Sequence, residues 1–268
     1  WRPAAQRNLR NQWSKMASLR SKWVSASSAG KSHAVSLVNA FLSQKYLPSM
    51  ELGVLSSMPG IREKASSKLK KQQDVHRSKL LSSYKDLVAI VTQMVDASRT
   101  MRCYLKETTN SSLIKFDSSS DDSSDAGDGG GIPVFVFLSI TRHEQLANEL
   151  IQMFICELSM KRLIVVELLA IGSKVTKANE QHWSNELYEG EFNDLSVCSL
   201  FSKQSGKVET PTLVWSKFEA PALRFESQPV DKTLEVYLTI WLAEPNIDTY
   251  RVADIISIVG EEMHVKLS

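Results

Sequence analysis

Apolar side chains recur along this chain at spacings of three and four, the period that places them on one side of an α-helix. Leu9, Trp13, Met16 and Trp23 form one such stripe. Val35, Val38, Phe41 and Leu42 continue it up to Tyr46-Leu47-Pro48, where proline bars further helix. The pattern predicts helix over the first 47 residues, broken near Gly30, because glycine weakens a helix interior. Residues 48–60, with Gly53, Pro59 and Gly60, then read as a connection.

The most regular stripe follows. Leu80, Tyr84, Leu87, Val91, Met94, Ser98, Met101 and Leu105 alternate spacings of four and three, the a/d pattern of a coiled-coil seam. The same stripe serves either an internal packing seam or a seam shared with a partner as a coiled-coil heterodimer, so the sequence leaves both open. Ahead of it, Ile61 to Lys79 permits helix but carries Arg62, Lys64, Lys68, Lys70, Lys71, Arg77 and Lys79, which extend that helix into solvent.

Residues 117–131 are serine, aspartate and glycine with a single alanine, a tract with no apolar group able to offset the entropy of ordering; it reads as a disordered linker. After it, the alternating apolar run from Ile132 to Ile140 predicts an extended segment that docks on the rest of the chain. Thr141 and Glu144 have capping-box spacing, opening a helix that carries Leu146, Leu150, Phe154, Leu158 and Val165 and stops at Gly172. From there to residue 230 the periodicity fades among Pro211, Pro221 and Pro229, and no helix longer than about two turns is expected. Leu234, Leu238, Trp241 and Leu242 predict a short amphipathic helix broken by Pro245, and Val252 to Leu267 a last one. The fold class expected is all-α: an elongated antiparallel helical bundle or coiled coil with an acidic linker and an irregular insertion. Its parts are a basic helical region at 1–110, the linker region at 111–131, an extended segment plus long helix at 132–173, the insertion at 174–230 and terminal helices at 231–268, together one composite helical domain.

Composition changes this picture in one respect. Of 268 residues, 43% are hydrophobic and 23% charged, an ordinary globular balance. The net charge of +2, however, hides opposite halves: residues 1–110 hold 19 basic and 6 acidic side chains, net +13, and residues 111–268 hold 13 and 24, net −11. Cys103, Cys156 and Cys198 are too few and too scattered for a disulfide framework or a zinc knuckle. The longest apolar run, Leu163 to Ile171, contains Glu167 and is far short of a membrane span, so no membrane partner is expected. No signal peptide is visible, and whatever precedes Trp1 stays open.

Catalytic chemistry finds little support. Ala29-Gly30-Lys31-Ser32 matches only the tail of a phosphate-binding loop; Ser25 stands where the first glycine belongs, and helix is predicted where a strand must precede it. His33, His76, His143, His182 and His264 are dispersed, without a His-x-x-x-His pair or a nearby cysteine at ligand spacing. No Gly-x-Ser-x-Gly elbow fixes a nucleophile. The expectation is a protein that is not an enzyme, with no catalytic, cofactor-binding or metal-binding residues. Partner binding is expected instead at Trp13, Trp23, the seam residues and Trp241, since tryptophan contributes heavily to interfaces; the alternative is that these tryptophans form the internal seam between terminal helices. In the linker, Ser118 has Asp121 three residues on and Ser119 has Asp122, the arrangement acidophilic kinases accept, so both are candidate phosphorylation sites; an inert spacer is the other reading.

Three segments resemble the cyclin-dependent kinase 2-interacting protein (CINP) family: Trp13 with Leu19-Arg-Ser-Lys-Trp23 followed by Gly30; Glu157-Leu158-Ser-Met-Lys161-Arg162 followed by Glu167-Leu168; and Leu238-Thr-Ile-Trp241-Leu242-Ala-Glu-Pro245-Asn-Ile-Asp248. The chain departs from that family in the stretch from Lys174 to Pro229, about 55 residues where the family has a short connection; a lineage-specific loop and a splicing or gene-model artefact both account for it. The resemblance implies a nuclear adaptor without catalytic activity, with Lys161, Arg162 and Pro245 among its contact residues. It implies partners among cyclin-dependent kinases and cyclins, components of the ATR checkpoint and of DNA replication, or, alternatively, an AAA ATPase complex acting in replisome processing and large-ribosomal-subunit maturation. A third reading, from the charge pattern alone, is nucleic-acid binding by the stretch from Arg62 to Lys79, with affinity falling steeply in salt.

Overall fold

The structure, a computed structural model, describes residues 1–102, 131–172, 185–202, 207–208 and 231–267. It is all-α. The helices in the described residues are α1 (Arg2–Tyr46), α2 (Ile61–Arg99), α3 (Ile140–Ala170), α4 (Glu191–Val197), α5 (Asp231–Ala243) and α6 (Thr249–Met263). The one strand pairing among them is a two-residue match of β1 (Phe201–Ser202) with β2 (Lys207–Val208), antiparallel. No helix of the described residues is long and apolar enough to cross a membrane. The chain forms two compact units, one of Trp1–Ser21, Gln93–Phe154 and Ile247–Ser268, the other of Lys22–Thr92 and Ile155–Asn246.

The first unit packs the opening of α1, the end of α2, the first half of α3 and all of α6. Leu9, Trp13 and Met16 from α1 are buried with Met94 and Ala97 from α2, Leu146 and Leu150 from α3, and Val252, Ile255 and Val259 from α6. Polar contacts tie these stripes together. Asn8 donates from Nδ2 to the Thr100 carbonyl at 2.8 Å, Ser98 Oγ donates to Asn148 Oδ1 at 3.1 Å, and Arg251 Nε meets Glu149 Oε1 at 2.5 Å.

Two expectations are corrected in this unit. The run Ile132 to Ile140 is not extended: Val134 N–H bonds back to the Leu138 carbonyl at 2.9 Å, closing a turn. The amides of Val136, Phe137 and Leu138 all point at one carboxylate oxygen, Glu262 Oε1 on α6, at 2.9, 2.7 and 2.7 Å. Successive N–H groups converging on an anion curl the backbone where free pairing edges would have kept it straight. Nor does Thr141 cap α3. The helix already runs from Ile140, Ser139 Oγ accepts the Arg142 amide at 3.3 Å, and Glu144, the presumed second half of the box, pairs with Arg102.

His143 sits fully buried in this unit, its ring 6.3 Å from Trp13 and 6.0 Å from Phe135, with neither ring nitrogen hydrogen-bonded among the described residues. Burial lowers its pKa from 6.5 to about 4, opposed by the charge of Glu262. The unfolded chain therefore binds this proton more tightly than the folded protein, and stability falls as pH drops from 6.5 towards 4. Between neutral pH and about 4.5 this one group is expected to remove on the order of 2–3 kcal/mol. Urea titrations of the wild type and of His143→Phe at both pH values test this. The variant should lose markedly less stability on acidification, and an equal loss in the two proteins would reject it.

The second unit takes the rest of α1, most of α2, the second half of α3, α4 and α5. Here α1 passes straight through Gly30, so the expected break is absent. After α1, two short 3-10 turns, Leu47–Ser49 and Gly53–Ser57, lead into α2, in the place where a connection was expected. The α2 stripe Leu80, Tyr84, Leu87 and Val91 is fully buried inside the chain, and Val88 and Ile90 are buried beside it, a face wider than an a/d seam. Gln73 Nε2 donates to the Ala40 carbonyl at 3.3 Å and to Gln44 Oε1 at 2.6 Å, holding α2 against α1. Gly172 takes a positive φ of 67° just beyond α3, the left-handed helix stop expected of it. At the C-terminal end Leu242 is exposed rather than on the packed face of α5, and α6 ends at Met263, closed by His264 in the left-handed conformation, short of Leu267. In the expected insertion, α4 is a helix of seven residues.

Candidate functional site

The helix period puts Glu157 and Lys161 one turn apart on α3, and both are fully buried in the second unit. Lys161 Nζ lies 3.2 Å from Glu157 Oε1 and 3.2 Å from Glu244 Oε1, and it donates to the Trp241 carbonyl at 3.0 Å. Its charge also stands 4.5 Å from the centre of the Trp241 ring, which the ring's negative face favours. Glu244 accepts from Trp23 Nε1 at 3.2 Å and from Ser27 Oγ at 2.6 Å, while Trp241 Nε1 donates to the Ser27 carbonyl at 3.0 Å. Asn246, just past Pro245, donates its amide and its Nδ2 to Glu157 Oε2 at 3.2 and 3.1 Å. Three helices, α1, α3 and α5, thus meet at one ammonium group shared by two carboxylates. Burial pushes the Glu157 carboxyl up, against the Lys161 charge and the Asn246 hydrogen bonds.

The next residue on α3 makes a second, separate pair. Arg162 is 1% exposed and Glu191, at the start of α4, is 0% exposed. Arg162 Nε meets Glu191 Oε1 at 2.8 Å, Arg162 Nη2 donates to the Asn185 carbonyl at 2.9 Å, and Tyr84 donates its hydroxyl to Glu191 Oε1 at 2.7 Å. The Leu187 amide occupies the other Glu191 oxygen at 2.6 Å. Burial raises the Tyr84 hydroxyl well above its ordinary pKa, with the Glu191 charge adding to it, so it remains a donor. An isolated buried charge costs several kcal/mol, and here each charge is met by its opposite and by further hydrogen bonds.

Gly30 shows why α1 carries glycine in mid-helix. A Cβ there would stand 2.7 Å from Trp241 Cζ2. Alanine ordinarily gains about 1 kcal/mol over glycine in a helix. At Gly30 the Trp241 ring is held by its own hydrogen bond and by Lys161, so the overlap is expected to outweigh the gain, and Gly30→Ala to destabilise by about 1–3 kcal/mol. Chemical denaturation measures it; a more stable Gly30→Ala protein would reject the close approach.

Of the residues expected to bind partners, Trp13, Trp23, Leu80, Tyr84, Leu87, Val91, Met94, Met101, Lys161, Arg162 and Trp241 are buried within the chain, and Pro245 is exposed. Trp23, Lys161 and Trp241 come together in the ammonium node, and Tyr84 joins Arg162 in the second pair; Trp13, Met94 and Met101 belong to the first unit. Leu105, Ser118 and Ser119 lie outside the described residues, as does Cys103. The phosphate-loop tail Ala29-Gly30-Lys31-Ser32 lies inside α1. Ser27, Glu191, Glu244 and Asn246 were not foreseen. Within this site, the i, i+4 spacing of Glu157 and Lys161 is the signal by which the sequence could have shown an ion pair.

The arrangement defines an all-α protein whose buried charges fasten helices distant in sequence. No family model matches the chain. No curated protein matches it either.

Proposed function

We propose that this chain is a non-enzymatic nuclear adaptor of the cyclin-dependent kinase 2-interacting protein type, linking cell-cycle kinases, DNA replication and the ATR checkpoint through helical contacts. One observation carries the reading. The three segments that resemble that family converge at a single node, through Trp23 of α1, Glu157 and Lys161 of α3, and Trp241 of α5. Lys161 and Trp241, 80 positions apart in the sequence, belong to two of those segments and are joined by a hydrogen bond, which supports the reading.

Affinity purification from nuclear extract tests it. Recovery of cyclin-dependent kinases and checkpoint components supports the reading. Recovery of an AAA ATPase without them overturns it in favour of a cofactor role in replisome processing and large-ribosomal-subunit maturation. Recovery of neither set rejects the adaptor assignment as a whole.

A further inference from the structure

Among the described residues, nothing covers one side of the first half of α2. Lys64, Lys68, Lys71, Val75 and Lys79 follow one another at spacings of four, three, four and four, which keeps them on one side of the helix, and all five are exposed. Gln73 and Leu80, which α2 buries, fall on the opposite side. The four lysines make no ion pair among the described residues, unlike Arg77, which pairs with Asp74 at 2.7 Å and donates to the Ile171 carbonyl. Chain-adjacent to this stripe is an apolar tip: Val54 is 91% exposed, Leu55 44% and Met58 50%, and just before it the Met50 carbonyl accepts from Arg62 Nη2 at 2.6 Å.

The geometry points to this face as a docking site for an acidic amphipathic helix of a protein partner, its carboxylates on the lysine stripe and its apolar residues against Val75 and the Val54 to Met58 tip. Charge complementarity selects an acidic occupant, and the aliphatic side chains select among acidic occupants. A phosphate backbone gains nothing from Val54, Leu55, Met58 or Val75, and the stripe carries no aromatic ring on which bases would stack. A membrane surface calls for an exposed apolar helix face, whereas α2 turns its apolar face into the second unit. A helix lying along Lys64 to Lys79 contacts about 22 Å of α2, the length of some four turns. The inference rests on the adaptor reading only in taking the partner to be a protein.

The test is fluorescence anisotropy with the full chain and a labelled peptide of about three heptads, leucine at a and d, glutamate at e and g. Duplex RNA, single-stranded DNA and phosphatidylserine vesicles serve as competing probes. Peptide binding is expected to weaken at least about tenfold, a difference of some 1.4 kcal/mol, both in Lys68→Glu/Lys71→Glu and in Val54→Ser/Met58→Ser. Circular dichroism checks that each variant keeps its helicity, and a variant that does not is replaced by Lys64→Gln/Lys68→Gln or Val75→Ser. Binding that responds to the lysines but not to the aliphatic changes, or that is tighter for nucleic acid or vesicles, overturns the inference. So does wild-type protein that leaves the peptide free. If nuclear purification recovers the same kinase and checkpoint partners with both variants as with the wild type, this face is rejected while the adaptor reading stands.

Discussion

Glu191→Ala is expected to lower the free energy of unfolding by about 3–5 kcal/mol, the cost of leaving one charge of a buried pair uncompensated. Arg162 is 1% exposed and loses its carboxylate, and Tyr84 loses the acceptor of its hydroxyl at 2.7 Å. Glu191→Gln keeps an acceptor for Tyr84 but not the charge, and falls between alanine and wild type. A contrasting variant separates charge from packing: Arg162→Met together with Glu191→Leu removes both charges at once and is expected to recover most of the loss, because apolar residues of similar size replace buried pairs at little net cost. Urea titration followed by far-ultraviolet circular dichroism measures all of these. A loss under about 1 kcal/mol for Glu191→Ala would mean that the pair is solvated and that α4 is not fastened through it.

Trp241→Ala is expected to cost a similar 3–5 kcal/mol, the range for emptying a large aromatic site in a core. The ring fills the space beside Gly30, bonds the Ser27 carbonyl at 3.0 Å and faces the Lys161 ammonium at 4.5 Å, so its removal affects α1, α3 and α5 together. Trp241→Phe keeps much of the apolar volume and a ring for Lys161 while deleting the N–H donor, and should lose about half as much. Combining Trp241→Ala with Gly30→Ala tests the close approach: once the ring is gone, the added methyl group should stabilise by about 1 kcal/mol instead of destabilising. If the effect of Gly30→Ala is the same with and without the ring, the two residues are not coupled.

Helix was readable from the stripes because burial and periodicity coincide: Leu9, Trp13 and Met16, or Leu80, Tyr84, Leu87 and Val91, are at once the pattern and the core. Three departures have separate causes. Gly30 reads as a helix break in isolation, yet it is a contact glycine, selected by a ring 211 residues further along the chain, as the close approach to Trp241 shows. Ile132 to Ile140 alternates like a strand, but without a neighbouring edge its amides turn to Glu262. Thr141 and Glu144 have the spacing of a capping box, while the side chain two residues earlier, Ser139, has the position. The buried charges were the least legible part. Lys161 and Arg162 stand out as a basic pair, but Glu191 lies in a stretch with no periodicity to place it and Glu244 just past the end of a helix 83 residues from Lys161, and only the folded backbone brings them within 2.8 and 3.2 Å.

Glu262 and the turn at Val136 to Leu138 make a natural spectroscopic gauge. Amides in a helix exchange with solvent slowly because their own turn protects them, so they report mainly on the helix itself. The amides of Val136, Phe137 and Leu138 belong to no helix and depend on a carboxylate 124 to 126 residues away. Their deuterium uptake therefore records whether α6 is seated, independently of whether α6 is still helical. Glu262→Gln in such an experiment should speed exchange at these three sites while leaving the interior amides of α3 slow.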